Sequence, residues 1–200
     1  MNRRVAAVVP AAGRSRRMGR EKIELVWEIS TVLETILDKI AAVGARPIVV
    51  VLRADLSQAQ ERARRRGARV VVNPRPDEGM IESVRLGISA LTEPPVEPVD
   101  AVLLWPGDHP AVASPTLDAL LDAADRTRAI LPRHGGRRGH PALIGSDLLD
   151  GIAAIPPGEG LRHLWRTRPE AVVELDVDDP GILIDLNTPV DYERTRPRGI

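Results

Sequence analysis

"VAAVVPAAGRSRRMGREK" (residues 5–22) opens as five apolar residues and then changes, within a few positions, to small residues, two glycines, four arginines and a lysine. An apolar run without polar alternation reads as a strand buried on both faces, which is the signature of a parallel sheet covered by helices. In such sheets ligands bind in the crevice outside the carboxyl ends of the strands, and the basic loop begins at that end. The loop therefore predicts a ligand as well as a fold. Backbone N–H groups of a small-residue loop can approach phosphate oxygens, while arginine forks and a lysine point charge neutralise a polyanion.

The rest of the chain repeats the pattern. "PIVVVL", "ARVVV" and "AVLLW" are further strand-like runs, each followed by a helical pattern, which predicts a doubly wound, mostly parallel α/β sheet with helices on both faces. Thr31 and Glu34 fit a capping box, followed by Val32, Leu33, Ile36, Leu37, Ile40 and Val43 at helical spacing before Gly44. Ser114 and Pro115 read as the N-cap and first position of a later helix. The second basic run, "ERARRRGAR" (residues 61–69), suits a solvated helix C-terminus before Gly67. "TEPPVEP" (residues 92–98) reads as a surface connection rather than a linker, because the pattern continues on either side without a compositional break.

At 200 residues the chain fits one domain, residues 1–200, with one substantial core. The core must be built mainly from Val, Leu, Ile and Ala, since aromatics make up 2% and Phe is absent. Lys+Arg and Asp+Glu balance at 28 each, so nothing global points to nucleic acid or a membrane surface, and few aromatic platforms exist for stacking bases. The lack of cysteine excludes disulfides, thiolate zinc sites and cysteine nucleophiles. No segment reads as a signal peptide or a membrane span, and a cytoplasmic protein is the expectation.

The loop matches neither common phosphate motif. Gly13 and Gly19 are separated by five residues and followed by Arg20, whereas a Walker A loop has four and then Lys; the dinucleotide fingerprint needs an earlier glycine pair. On composition alone a solvated basic turn remains an alternative. The spacing, however, resembles the signature of MobA-like nucleotidyltransferases, AAG-x-S-x-RMG-x-x-K, with Gly13, Ser15, Arg17, Met18, Gly19 and Lys22 in register. The resemblance implies a Rossmann-like, GT-A-like nucleotidyltransferase fold in which the loop wraps a triphosphate. It implies backbone contacts around Ala11, Ala12 and Gly13 and charge neutralisation by Arg17 and Lys22. Arg14, Arg16 and Arg20 occupy variable positions.

Further segments follow in the family's order. "GDHP" resembles its GDxP metal motif and implies Asp108 as a ligand of Mg²⁺ or Mn²⁺, although an Asp in such a loop also serves as a turn or cap residue. His109 stands at the variable position and receives no role. "NPRPDEGMIESVRLG" resembles the nucleobase segment and implies Asn73, Gly79, Met80 and Ser83 near the base; the plain alternative is an amphipathic helix with Met as core filler. "GRRGHP" resembles the molybdenum cofactor cytidylyltransferase branch and implies Arg137, Arg138 and His140 toward an anionic acceptor. "GEGLR" resembles that branch's GDxGaR element, with Glu159 replacing Asp, and adds Arg162. His134 and His140 carry no ligand pattern, which argues against zinc. The closing "DLNTPVDY" resembles a segment whose Asp helps to hold the metal; here Asn187 stands there, as in the guanylyltransferase branch, with Asp185 a nearby alternative and Thr188 capping a helix.

Between Lys22 and the first helix the family's Gly-x-Pro turn is missing, so an altered or shortened hairpin is expected. The implied partners are a nucleoside triphosphate and a phosphorylated small-molecule acceptor, with Arg17, Lys22 and Asp108 as the catalytic set and no covalent nucleophile. A protein that delivers cofactor, or a molybdoenzyme that collects it, is a further partner the resemblance leaves room for. CMP transfer from CTP to a molybdopterin-type cofactor is the leading reading. Guanylyl transfer, a sugar-phosphate acceptor, or a non-catalytic nucleotide-binding protein remain alternatives.

Overall fold

A computed structural model describes residues 3–92 and 97–197. The main sheet runs β10-β7-β9-β6-β1-β4-β5. In chain order these are β1 (Val5–Pro10), a small hairpin of β2 (Val26–Trp27) and β3 (Ser30–Thr31), α1 (Val32–Ala42), β4 (Ile48–Leu52), α2 (Ser57–Arg65), β5 (Arg69–Val72), α3 (Met80–Thr92) and β6 (Ala101–Leu104). There follow α4 (Ser114–Asp122), β7 (Ala129–His134), β8 (Arg137–Arg138), β9 (Ala142–Gly145), α5 (Leu149–Ala153), α6 (Arg162–Thr167), β10 (Val172–Asp176) and α7 (Pro189–Thr195).

The chain walks outward from β1 to β4 and β5 with parallel pairing, then crosses back to pair β6 in parallel with the other side of β1. The switch point of the winding therefore lies between β1 and β6, and the loops that leave these strands face each other there. β9 lies antiparallel between β6 and β7, and β8 folds back antiparallel on β7, so the mostly parallel sheet carries an antiparallel insertion.

Alternation along β1 divides the interior. Val5, Ala7 and Val9 face one core with Leu33, Ile36 and Ile40 of α1, Ala63 of α2 and Leu117 and Leu120 of α4. Ala6 and Val8 face a second core with Ile81 and Val84 of α3, Ile152 of α5 and Leu164 of α6. Helices thus cover both faces, as the continuous apolar strands require.

The capping box of α1 is formed: the Thr31 side chain accepts from the Glu34 N–H, and the Glu34 carboxylate from the Thr31 N–H. An equivalent box links Thr188 and Asp191 at α7. The cap expected at Ser114 is displaced by one residue: Ala113 holds the cap position, and Ser114 is itself helical. The reason is a distant carboxylate: buried Asp179 accepts from the Ala113 N–H and from the Thr116 hydroxyl, each at 2.8 Å, and replaces a local cap. The basic run of α2 ends before Gly67 at φ +75°, with Arg65 paired to Glu61 and Arg66 to Glu34 and Asp38 of α1. The hairpin that lacks Gly-x-Pro turns through Glu28 and Ile29, with Glu28 at φ +55°. The connection at 92–98 lies largely outside the described residues. No described helix is long and apolar enough to cross a membrane.

Candidate functional site

A cleft of about 380 Å³ opens at the switch point. Its walls include Ala11, Ala12, Gly13, Ser15, Arg17 and Lys22 from the loop after β1, Gly107 and Asp108 after β6, Gly79, Met80 and Ser83 at the start of α3, and Asn187 before α7. The loops after β1 and β6, 86 residues apart at Lys22 and Asp108, meet here because the two strands are neighbours. Gly107 makes the meeting sterically feasible: a Cβ there would lie 2.8 Å from that of Ala11, and its N–H donates to Pro10 O at 3.1 Å.

Part of the loop after β1 is a turn closed by its own backbone atoms. Met18 and Gly19 donate to Ser15 O at 2.9 and 3.1 Å, with Gly19 at φ +71° turning the chain outside the cleft wall. The Ala11 N–H is engaged by Val51 O at 2.9 Å, so it is unavailable to a ligand. Among the described residues, the N–H groups of Ala12 and Gly13 donate to no protein acceptor. Successive unpaired amides beside cationic side chains suit an oxyanion.

Charge converges on Lys22. Its Nζ donates to Asp108 Oδ2 and to Asn187 Oδ1, each at 3.1 Å, and Arg17 donates to the same Asn187 oxygen at 2.7 Å. Asn187 in turn donates to Asp185, and the Leu186 N–H donates to Asp108 O at 3.0 Å, tying the closing segment to the loop after β6. Burial by itself would raise the pKa of Asp108. The hydrogen bond and charge of His109, with those of Lys22, outweigh burial and hold the carboxyl well below the usual carboxylate range.

Asp108 and Asn187 thus place two oxygens around one position that an ammonium fills. A divalent cation needs hard oxygen donors, few from protein and the remainder from phosphate and water. The donor set fits Mg²⁺ or Mn²⁺.

On the opposite wall, Asn73 is buried behind Ser83, and its Nδ2 donates to Ser83 Oγ at 2.9 Å. Gly79 adopts φ +91° to start α3, and Met80 is half exposed rather than filling the core. The suggested acceptor residues stand apart. Arg137 and Arg138 form the exposed β8, where Arg138 pairs with Glu174 at 2.7 Å, and neither lines the cleft. His140 comes nearer: its ring meets that of His109 edge to face, with centroids 4.7 Å apart. Burial pushes His140 down to about 4, reinforced by the nearby positive charges of His109 and Arg162. Arg162 itself is exposed, and Glu159 pairs with His163 and Arg166.

Sequence reasoning missed three participants. His109, given no role, holds Asp108 Oδ1 at 2.9 Å, and its adjacency was the available signal. Asp77 takes both Arg14 and Arg16, at 2.8 and 2.9 Å, across the mouth of the cleft. Arg53, buried just after β4, reaches the loop after β1, which only the strand order reveals.

Comparison with known proteins identifies a family. A family model described as the MobA-like NTP transferase domain matches residues 7–172. The molybdenum cofactor cytidylyltransferase of Escherichia coli K12 is 26% identical over 97% of this chain and 96% of its own. The phosphoenolpyruvate guanylyltransferase of Mycolicibacterium gilvum is 33% identical over 81% of this chain and 74% of its own. Among solved structures, Rv0371c of Mycobacterium tuberculosis H37Rv superposes with a TM-score of 0.82 at 29% identity, covering 97% of this chain and 98% of that one; Rv0371c has also been solved in complex with manganese.

Proposed function

This chain belongs to the MobA-like NTP transferase family, and from that premise we propose that it transfers CMP from CTP to a phosphorylated pterin of the molybdenum cofactor class, releasing pyrophosphate. The observation that carries the reading is the convergence of Lys22, Asp108 and Asn187 beside the unpaired amides of Ala12 and Gly13, at the switch point of the sheet. Similarity to the E. coli cytidylyltransferase over nearly the whole chain supports the choice of base and acceptor, as does the GRRGHP segment.

In this reaction an oxygen of the acceptor phosphate attacks the α-phosphorus in line, a new P–O bond forms, and the bond to the β-phosphate breaks with pyrophosphate leaving. The protein's task is positioning and charge stabilisation. Ala12 and Gly13 offer backbone donors to the triphosphate, and Arg17 and Lys22 neutralise charge that grows on the leaving group. Ser83, Gly79 and Met80 border the base. Asp108 and Asn187 would hold a divalent cation, which when bound supplies charge neutralisation for the phosphate oxygens. Asp108 remains ionised throughout the neutral range for this purpose. Arg137, Arg138, His140 and Arg162 are proposed to meet the acceptor.

Guanylyl transfer to another phosphorylated acceptor is the second reading, favoured by the 33% identity to the phosphoenolpyruvate guanylyltransferase and by Asn187. Pyrophosphate release from CTP and GTP, each with a pterin phosphate and with phosphoenolpyruvate, separates the two. Release from CTP with the pterin alone is expected. Turnover only with GTP overturns the base assignment, and no release under any combination overturns the enzyme.

A further inference from the structure

We propose that Arg53, acting with Glu21, is the positioning clamp that holds the triphosphate-facing loop in its binding conformation, an assignment that rests on the function proposed above. Arg53 follows β4 directly, is only 4% exposed, and does not line the cleft. Its guanidinium grips the loop at both ends. One Nη donates to Gly13 O at 2.6 Å, where the loop leaves β1, and the other to Glu21 Oε1 at 2.6 Å, immediately before Lys22. Asp55 receives the remaining edge of the fork at 3.0 and 3.2 Å, which satisfies the buried cation and fixes its plane. A planar fork with donors in fixed directions can span two loop ends in this way, whereas a lysine ammonium cannot.

Two consequences follow for the loop. In a trans peptide the C=O and the following N–H point in opposite directions, so drawing Gly13 O back onto Arg53 fixes the Arg14 N–H pointing away from Arg53. At the other end, the second oxygen of Glu21 accepts from the Ser15 hydroxyl at 3.4 Å, and Ser15 Oγ accepts from the Lys22 N–H at 3.1 Å. Ser15 is held at φ +48°, a left-handed conformation uncommon for a non-glycine residue, so the loop needs an external restraint of this kind to stay in place. The clamp thereby sets the backbone of Lys22 as well as the plane of the Gly13–Arg14 peptide. Ordering the loop before the ligand arrives removes that entropy cost from nucleotide binding. The clamp should therefore appear in the KM for the nucleotide, with little effect on the acceptor.

The test is steady-state kinetics on Arg53→Ala, Arg53→Lys and Glu21→Gln, with KM for the nucleotide and for the acceptor determined separately, alongside the thermal shift produced by Mg²⁺–NTP. Arg53→Ala is expected to raise the nucleotide KM about tenfold or more and to leave the acceptor KM within about twofold. Added guanidinium ion should recover part of the loss, and Arg53→Lys should remain impaired. A folded Arg53→Ala enzyme with an unchanged nucleotide KM, or with both KM values raised equally, overturns the clamp. Should Arg53→Ala not fold, Glu21→Gln decides: a raised nucleotide KM with the acceptor KM unmoved supports the clamp, and no change overturns it. Wild-type protein that no NTP stabilises would sink the proposed function and the clamp with it; wild type and Arg53→Ala that bind NTP equally would sink the clamp alone.

Discussion

Ser83 keeps its hydroxyl proton, beside one remaining lone pair, and the reason lies in Asn73 behind it. The Arg75 N–H donates to Asn73 Oδ1 at 2.7 Å, so the amide can be oriented only one way, and Nδ2 must donate to Ser83 Oγ. The hydroxyl hydrogen is then left for an acceptor atom on a base. Ser83→Ala should weaken nucleotide binding about five- to tenfold, the worth of one neutral hydrogen bond. Asn73→Asp should match it, because a carboxylate takes that hydrogen for itself; calorimetric titration with NTP checks both, and unchanged binding in either removes Ser83 from the base-binding wall. His140 permits a second prediction. Its folded pKa near 4 lies below the unfolded value near 6.5, so between these limits the unfolded chain takes up the proton. Stability should fall as pH drops from about 6.5 to 4, and His140→Gln should flatten that segment of a denaturant-unfolding profile. Lys22, Asp108 and Asn187 were legible in the sequence because motif spacing names them. Arg53 was not, because an arginine after a strand looks like any surface cation until the sheet sets β4 beside the loop of β1.

Elements are positioned by contacts that the sequence expresses unevenly. The helix that carries Met80 and Ser83 lies so close to β1 that a Cβ at Gly87 would come within 2.4 Å of Val8 Cγ1 and 3.3 Å of Val51 Cγ2. Alanine would gain about 1 kcal/mol of helix propensity, but overpacking against a fully buried central strand costs about 1–3 kcal/mol. Gly87→Ala should therefore destabilise, and Val8→Ala should relieve part of the loss, so that the double variant is more stable than the two single losses predict. Urea midpoints at unchanged m-value measure this, and strict additivity would refute the contact. The capping box at Thr31 was legible because both partners lie within four residues, and so was the cap at Thr188, though not its reciprocal partner Asp191. The cap of α4 was not, since Asp179 arrives from 63 residues away. Nor was the direction of β9, because a four-residue run such as "ALIG" reads equally as a parallel or an antiparallel strand.

At the scale of the molecule, zero net charge and a concentrated basic loop are compatible because the charge serves one crevice rather than a surface. The doubly wound fold was legible from unbroken apolar strands alternating with helices, since only a sheet buried on both faces tolerates them. Which loops would face each other was not, because strand order is absent from local pattern; the motif resemblance supplied what periodicity could not. The crevice joins the loops after β1 and β6 to the start of α3 and the segment before α7, so a ligand there must stabilise the global fold rather than one flap. At a nucleotide concentration of one hundred times Kd, mass action adds about 2.7 kcal/mol. For a chain of this length that corresponds to a rise in Tm of about 5–10 °C. With Mg²⁺ present, CTP should produce this shift, and Asp108→Ala should lose its Mg²⁺-dependent part; without ligand the variant should unfold somewhat below the wild-type temperature, because a carboxylate held ionised by His109 and Lys22 stabilises the folded state at neutral pH. A shift with GTP alone would transfer the site to the guanylyl reading, and the absence of a shift with any NTP would leave the convergence of Lys22, Asp108 and Asn187 without the anionic ligand it is built to meet.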